Sequence, residues 1–246
     1  MPTQPLLDVV LFDLDDTLYS TTEFAETARR EALRAMIATG LRVHEDEGVA
    51  ELAEVVAEFS SNYEHHLDRL LDRLGPAALG GTNPAVLVAA GVVAYHRAKE
   101  RGLHLLPDAR ALLDALRRAS VRMGVVTAGL QVKQAEKLIR TGILPYLDPA
   151  AVFFSDQMGV SKPNPKIYAK ACRALGVEPG RALYIGDRAT HDVAPARSVG
   201  LRTCLYRGAA GKYAREHAAV APDHDVSDLR DLLPVLRDRY GLPVGA

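Results

Sequence analysis

The sequence contains only two cysteines and no long apolar run, and both absences exclude classes of protein. Cys172 and Cys204 lie in a predicted helix and a predicted strand, so we expect small buried side chains in a reducing compartment, without a disulfide or a metal pair. The longest apolar run, 85–94, contains Gly91 and is too short to cross a membrane. No basic segment precedes the first predicted strand, so we predict no signal peptide and a cytoplasmic location.

The chain also lacks an excess of charge of either sign. It carries 30 lysines and arginines against 31 aspartates and glutamates, and no basic face of the kind that binds nucleic acid stands out. We therefore expect neither a nucleic acid nor a membrane as partner. The 246 residues, of which 48% are hydrophobic, can build one large domain or two smaller ones.

The most informative stretch is 9–18, in which an apolar segment runs into acidic residues. Residues 9–12 predict a short buried strand, and Asp13, Asp15 and Asp16 follow within four positions. Carboxylates this close repel each other unless a cation lies between them, and their hard oxygens suit Mg²⁺. Taken alone, the stretch is equally consistent with an acidic turn in which Asp16 caps a helix.

The order of the predicted elements indicates an α/β protein with a helical insertion. Helical patterns without a strand follow Leu18, including a region over 46–74 that bends near Ser60. From Pro107 onward strands alternate with helices, which favours a Rossmann-like parallel sheet flanked by helices on both faces. We predict strands at 121–127, 152–154, 182–185 and 201–205, a helix at 191–199 and a helical tail at 226–240. The predicted domains are a core formed by 1–19 and 105–246 and an all-helical domain over 20–104.

Polar signals follow the later strands as well. Thr127 and Gly129 lie between a strand and a helix, where exposed N–H groups can hold a phosphate. Lys162 stands in a proline-containing loop, and Asp187 ends the fourth strand five residues before Asp192. Each signal alone is more often an ordinary turn, a solvated lysine or a helix cap. Their succession at strand ends indicates a single site, since open α/β sheets bind ligands there.

These residue types together suit phosphoryl transfer. A carboxylate such as Asp13 can attack phosphorus and form an aspartyl phosphate, and Asp15 can protonate the leaving oxygen and later accept a proton from water. Mg²⁺ shared by Asp13 and Asp187 would offset the repulsion between the nucleophile and the phosphate. Lys162 and Thr127 can hold the transferring oxygens.

At this point the sequence resembles the haloacid dehalogenase (HAD) superfamily. The resemblance is carried by Asp13-Leu14-Asp15-Asp16-Thr17-Leu18, Val126-Thr127-Ala128-Gly129, Lys162-Pro163 and Gly186-Asp187 with Asp192. It implies a HAD core with the helical domain as a C1-type cap, and it therefore covers nearly the whole chain. It further implies that the cap sets substrate choice by closing over the core.

Carried over by position, the resemblance implies that Asp13 is the nucleophile and Asp15 the general acid and base. Thr127 and Lys162 would bind the phosphoryl group. The position after Thr127 is often Asn or Asp in this family. The residue here is Ala128, which loses a side-chain contact with the substrate but keeps its N–H.

The resemblance also implies a metal site. The side chains of Asp13 and Asp187 and the main-chain carbonyl of Asp15 would bind Mg²⁺. Asp192 would complete the acidic set at the metal by orienting Lys162 or the waters bound to the ion.

Three further segments resemble a subgroup of small Mg²⁺-dependent phosphatases, known chiefly from archaea and named for glyceraldehyde 3-phosphate. These segments are 62–66, 90–96 and 129–134. Asn62, Tyr63 and His66 are therefore candidate substrate-binding residues of the cap. As an alternative, the tyrosine and histidine rings pack the cap helices or face a second copy of the chain, which leaves a homodimer open.

The leading interpretation is a phosphatase that acts on a small phosphate ester, and three alternatives stay open. A 2-haloacid dehalogenase on the same fold needs no Mg²⁺ and typically lacks an acid at the position of Asp15. A phosphomutase would return the phosphoryl group to a sugar. A non-catalytic HAD-like binding module would have no physical need for four charged side chains at one point.

Overall fold

The structure of the protein is a computed structural model, which describes residues 6–60, 63–208, 213, 215–217 and 219–245. The chain divides into two compact units. The sheet unit comprises Met1–Thr22 and Leu103–Ala246, and the helical unit comprises Glu23–Gly102. No helix among the described residues combines the length and the apolar character needed to cross a membrane.

The described residues of the sheet unit form six parallel strands, β1 (Val9–Phe12), β2 (Met123–Thr127), β3 (Val152–Phe154), β4 (Ala182–Gly186), β5 (Arg202–Tyr206) and β6 (His224–Val226). Their spatial order is β3-β2-β1-β4-β5-β6. Phe12 at the end of β1 lies opposite Val125 of β2 and Ile185 of β4. All residues of β1, β2 and β4 are buried, as expected for strands covered on both faces. The predicted α/β fold with a parallel sheet is confirmed.

The helices of the sheet unit are α5 (Pro107–Arg118), α6 (Gln131–Thr141), α7 (Ser155–Met158), α8 (Lys166–Leu175), α9 (Ala194–Ser198) and α10 (Leu232–Tyr240). They place apolar faces on the sheet, and α8 buries Ile167, Tyr168 and Ala171 against Val126 and Tyr184. Cys172 and Cys204 are buried, as the sequence predicts.

The helical unit contains α2 (Glu45–Phe59), α3 (His66–Leu74) and α4 (Pro84–Gly102), together with most of α1 (Thr21–Thr39). Leucine and methionine side chains form its core, among them Leu33, Met36, Leu52, Leu70 and Leu87. Gly91 of α4 allows a close helix contact, because a Cβ atom there would lie 2.7 Å from Leu67 and 2.9 Å from Met36.

The structure corrects three details of the sequence prediction. The region 46–74 forms two separate helices, since α2 ends at Phe59 and Ser60 adopts a positive φ of 68°. The helix expected over 191–199 begins as a π-helix over Ala189–Val193 and continues as α9. The segment 226–240 is not wholly helical, because β6 ends at Val226 and α10 begins only at Leu232. β6 is a three-residue edge strand without a buried residue, so no apolar pattern marks it.

Candidate active site

The carboxyl end of β1 places Asp13 at the centre of a buried charged cluster. The Asp13 N–H donates a hydrogen bond of 2.8 Å to the carbonyl oxygen of Ile185, which fixes the main chain against β4. Lys162 Nζ lies 2.5 Å from Asp13 Oδ1 and 2.7 Å from Asp192 Oδ1. In the described part of the chain no hydrogen bond reaches Oδ2 of Asp13, so one carboxylate oxygen is left for chemistry.

Lys162 is a buried lysine held by three oxygens. In addition to the two carboxylates, its Nζ lies 3.1 Å from the hydroxyl of Tyr184. Burial by itself would lower the pKa of Lys162, but the charges of Asp13 and Asp192 raise that pKa above its usual value. The lysine therefore stays protonated and supplies a fixed positive charge next to Asp13.

Asp192 is fully buried and its two carboxylate oxygens are both hydrogen-bonded. Oδ1 lies 2.7 Å from Lys162 Nζ and 3.2 Å from the Tyr184 hydroxyl, and Oδ2 accepts from the N–H of Arg188 at 3.0 Å. Asp192 lies in the π-helix that follows β4, and its side chain lies next to Gly186 at the end of that strand. Gly186 leaves room for it, because a Cβ atom there would lie 2.5 Å from the Asp192 carboxyl carbon. Asp192 is thus placed to hold Lys162.

Asp187 differs from Asp192 in its hydrogen bonding. Its Oδ2 atom is buried and has no hydrogen-bond partner among the described residues. Burial is the main reason why the pKa of Asp187 is raised to about 9, and the neighbouring charge of Asp13 adds to it. Burial likewise raises the pKa of Asp13. Both carboxylates are destabilised in their charged form without a further cation.

The acidic cluster fits a divalent cation. Asp13, Asp187 and Asp192 are buried, and each offers a carboxylate oxygen within 4.8 Å of the other two. The orphaned Oδ2 of Asp187 and the unused Oδ2 of Asp13 are hard oxygen donors, the ligand type that Mg²⁺ prefers. A bound cation would satisfy both oxygens and remove the repulsion between the two carboxylates.

The carboxyl end of β2 forms a second part of the site. Thr127 is buried, and its hydroxyl lies 3.4 Å from Oε1 of Gln134. Gln134 Nε2 donates to the carbonyl oxygen of Ala128 at 2.9 Å. The Gly129 N–H donates to Ser155 Oγ at 3.0 Å, and Gly129 adopts a φ of +130°. The positive φ explains the glycine, since side chains rarely tolerate this conformation.

Asp15 lies two residues beyond Asp13 and is only partly buried, with 31% of its side chain exposed. Lys137 Nζ lies 2.7 Å from its Oδ1 and 2.8 Å from its Oδ2. The Tyr19 hydroxyl donates to Oδ1, and Gln134 Nε2 lies 3.3 Å from Oδ2. These contacts hold the carboxylate of Asp15 next to α6, separately from the cluster around Lys162.

The structure brings together four of the residues that the sequence singles out, Asp13, Lys162, Asp187 and Asp192. The other three core residues, Asp15, Thr127 and Ala128, all contact Gln134.

The predicted cap residues lie in the helical unit. Tyr63 stacks on Phe59 with 4.9 Å between the ring centroids, and its ring lies 5.5 Å from that of His66. This packing corresponds to the alternative in which the rings contact neighbouring side chains. Asn62 lies outside the described residues.

Sequence reasoning missed Gln134, Lys137 and Tyr184 as parts of the site. Gln134 is a buried polar residue on α6, and Lys137 follows it by three positions, which places both on one face of the helix. A glutamine at a position that the helical pattern assigns to the core was the available signal. Tyr184 carried no such signal, because tyrosine is common in buried strands.

The sequence matches the model of a known family and the sequences of known proteins. The model of a hydrolase family, the haloacid dehalogenase-like hydrolases, matches residues 7–200. Glyceraldehyde 3-phosphate phosphatase of Methanopyrus kandleri is 44% identical over 238 residues, which cover 95% of this chain and 98% of that protein. The protein of the same name from Pyrococcus abyssi is 41% identical over 236 residues, with 96% of each chain covered.

Solved structures of low sequence identity share the fold. A HAD family hydrolase from Deinococcus radiodurans aligns with a TM-score of 0.67 at 20% identity, covering 99% of this chain and 100% of that one. A HAD phosphatase from Thermococcus onnurineus aligns with a TM-score of 0.63 at 24% identity, covering 94% and 98%. With the family match over most of its length, the chain belongs to the haloacid dehalogenase-like hydrolases, as its motifs predict.

Proposed function

We propose that the protein is a Mg²⁺-dependent phosphatase that hydrolyses phosphate monoesters of small metabolites. The observation that carries this proposal is the pairing of Asp13 with buried Lys162, beside an Asp187 oxygen that has no hydrogen-bond partner in the described part of the chain. A nucleophile, a fixed positive charge and a carboxylate oxygen able to bind a cation at one sheet edge suit phosphoryl transfer. Full-length relatives named as phosphatases support the reaction class.

The first half of the proposed reaction transfers the phosphoryl group to the protein. The carboxylate of Asp13 attacks phosphorus, the bond from phosphorus to the ester oxygen breaks, and protonated Asp15 gives its proton to the departing ester oxygen. Lys162, Thr127 and the N–H of Ala128 bind the oxygens of the transferring group. In the second half Asp15 takes a proton from water, which attacks phosphorus and releases Asp13 and inorganic phosphate.

The residues that would hold Mg²⁺ are Asp13, Asp187 and the main-chain carbonyl of Asp15. When bound, the ion supplies positive charge that neutralises the phosphate oxygens. We assign Asp192 to the orientation of Lys162, because both of its oxygens already accept hydrogen bonds from the protein.

The substrate we propose to test first is glyceraldehyde 3-phosphate, because relatives at 44% and 41% identity are named for it. The substrate-binding roles of Asn62, Tyr63 and His66, the cytoplasmic location and a homodimer stay predictions.

The deciding experiment is a panel of phosphate esters assayed for released phosphate. The panel contains glyceraldehyde 3-phosphate, phosphoserine, phosphoglycolate, a sugar phosphate, a nucleoside monophosphate and p-nitrophenyl phosphate. We expect phosphate release with Mg²⁺, its loss in EDTA and its return when Mg²⁺ is added in excess. Turnover indifferent to chelation, with halide released from a 2-haloacid, would support the dehalogenase alternative. An isomerised sugar phosphate without phosphate release would identify a phosphomutase.

A further inference from the structure

Three side chains hold the carboxylate of Asp15 through four contacts. Its Oδ1 accepts from Lys137 Nζ and the Tyr19 hydroxyl, and its Oδ2 accepts from Lys137 Nζ and Gln134 Nε2. Because donors contact both oxygens, these contacts fix both the location of Asp15 and the plane of its carboxyl group.

Two of the three donors come from one face of α6. Gln134 and Lys137 are three residues apart, so their side chains lie on neighbouring turns of the helix. Gln134 also binds the Ala128 carbonyl and lies next to the Thr127 hydroxyl. The same helix face therefore ties Asp15 to the end of β2, where the proposed phosphate-binding groups lie.

Stability alone gives a weak reason for the pair formed by Lys137 and Asp15. The side chains are 21% and 31% exposed, and ion pairs with such access to solvent add little to the free energy of unfolding. Holding the long Lys137 side chain in one place also costs conformational entropy. The pair adds little stability, yet Lys137 Nζ contacts both oxygens of a reactive carboxylate. A role in positioning Asp15 explains this contact better than a role in stability.

We infer that Lys137 is a positioning residue for Asp15, which it holds in the orientation needed to protonate the leaving oxygen. This inference rests on the proposed phosphatase function. In the proposed reaction Lys137 touches neither the substrate nor the metal and acts only through Asp15. Gln134 and Tyr19 assist, because each contacts one oxygen of the carboxyl group.

The test compares two esters that differ in their need for a general acid. A p-nitrophenolate leaves readily without a proton, whereas an alkoxide needs one, so misplacement of Asp15 should matter chiefly for the alkyl ester. The measurement is kcat/KM for p-nitrophenyl phosphate and for the most active alkyl phosphate of the panel, in wild type and Lys137→Met. Since kcat/KM reports on steps up to the first phosphoryl transfer, later steps do not obscure the comparison.

For Lys137→Met we expect kcat/KM on the alkyl ester to fall about 10²-fold and on p-nitrophenyl phosphate by no more than about threefold. Lys137→Arg, which keeps charge and donors, should recover most of the loss. Lys170→Met is the matched control, because Lys170 is an exposed lysine of the same unit whose Nζ donates to the carbonyl of Met158. This control should leave both values unchanged.

Equal losses on the two esters would overturn the inference, since they would indicate a general structural effect. Unchanged kcat/KM on both esters would overturn it as well. A melting temperature measured for each variant separates misfolding from a local change. If the wild type hydrolyses neither ester with Mg²⁺, the proposed function fails; if it hydrolyses both and Lys137→Met is not selective, only the positioning role fails.

Discussion

The two units of the chain differ in whether they bury charged side chains. Among the described residues, the sheet unit buries five aspartates, Asp13, Asp16, Asp108, Asp187 and Asp192, and the helical unit buries none. In the helical unit the charges pair near the surface, as Arg73 does with Glu51 and Glu58. Burying charge is costly unless it is paired, so the sheet unit carries a cost that the helical unit avoids.

The buried aspartates are themselves of two kinds. Asp108 is satisfied by the Tyr206 hydroxyl at 2.9 Å and the Leu229 N–H at 3.0 Å, so it has a structural role. Asp187 has an oxygen for which the described residues offer no hydrogen-bond partner. Burial of an aspartate therefore does not by itself identify the site. A buried aspartate with an unsatisfied oxygen next to Lys162 does.

The largest expected effect concerns the nucleophile. Asp13→Asn should lower turnover of p-nitrophenyl phosphate by about 10⁴-fold or more, because the amide cannot attack phosphorus. Phosphate release and a circular-dichroism melt measure activity and fold separately. Asp108→Asn is the control for a buried aspartate of the same unit, and it should keep its turnover even if it melts earlier. Appreciable turnover of Asp13→Asn would exclude Asp13 as the nucleophile.

A large loss of stability is expected for Lys162→Met. The substitution leaves Asp13 and Asp192 buried without their shared cation, and breaking a buried ion pair costs about 3–5 kcal/mol in free energy of unfolding. Urea unfolding in EDTA measures it, with Lys170→Met as the exposed control in the same unit. A loss as small as that of the control would mean that the buried cluster does not depend on this lysine.

A gain of stability is expected for Asp187→Asn in EDTA. The amide cannot ionise, so folding no longer has to oppose the ionisation of a buried acid, and the free energy of unfolding should rise by about 1–3 kcal/mol, while phosphatase activity should be lost. Because the pKa of Asp187 is raised to about 9 from an ordinary 3.8, the wild-type carboxylate costs more as the pH rises between these values. The gain should therefore be larger at pH 8 than at pH 5 in thermal melts. A variant that melts earlier than wild type at both pH values would contradict this account.

The smallest effect is expected in the helical unit. Arg73→Met removes ion pairs with Glu51 and Glu58 at the surface, where such pairs contribute little. The melting temperature should change by much less than in Lys162→Met, and activity should be kept. A comparable loss in the two variants would remove the contrast between the units.

Much of the sheet unit could be predicted from sequence because its signals are local. The strands before Asp13 and Asp187 are uninterrupted apolar runs, and parallel strands bring their carboxyl ends to one edge. The sequence analysis did not predict β6 or the π-helix over Ala189–Val193. An edge strand without buried residues has no periodicity, and a π-helix differs from an α-helix only in its hydrogen bonds.

The sequence by itself determined the chemical groups of the site and the edge where they meet, because residue type and strand alternation are local properties. Only the tertiary structure decided which of these groups touch. It paired Asp15 with Lys137, 122 positions away, and joined Lys162 to Asp192 and Tyr184. Such pairings depend on how helices pack against the sheet, which residue spacing along the chain does not encode.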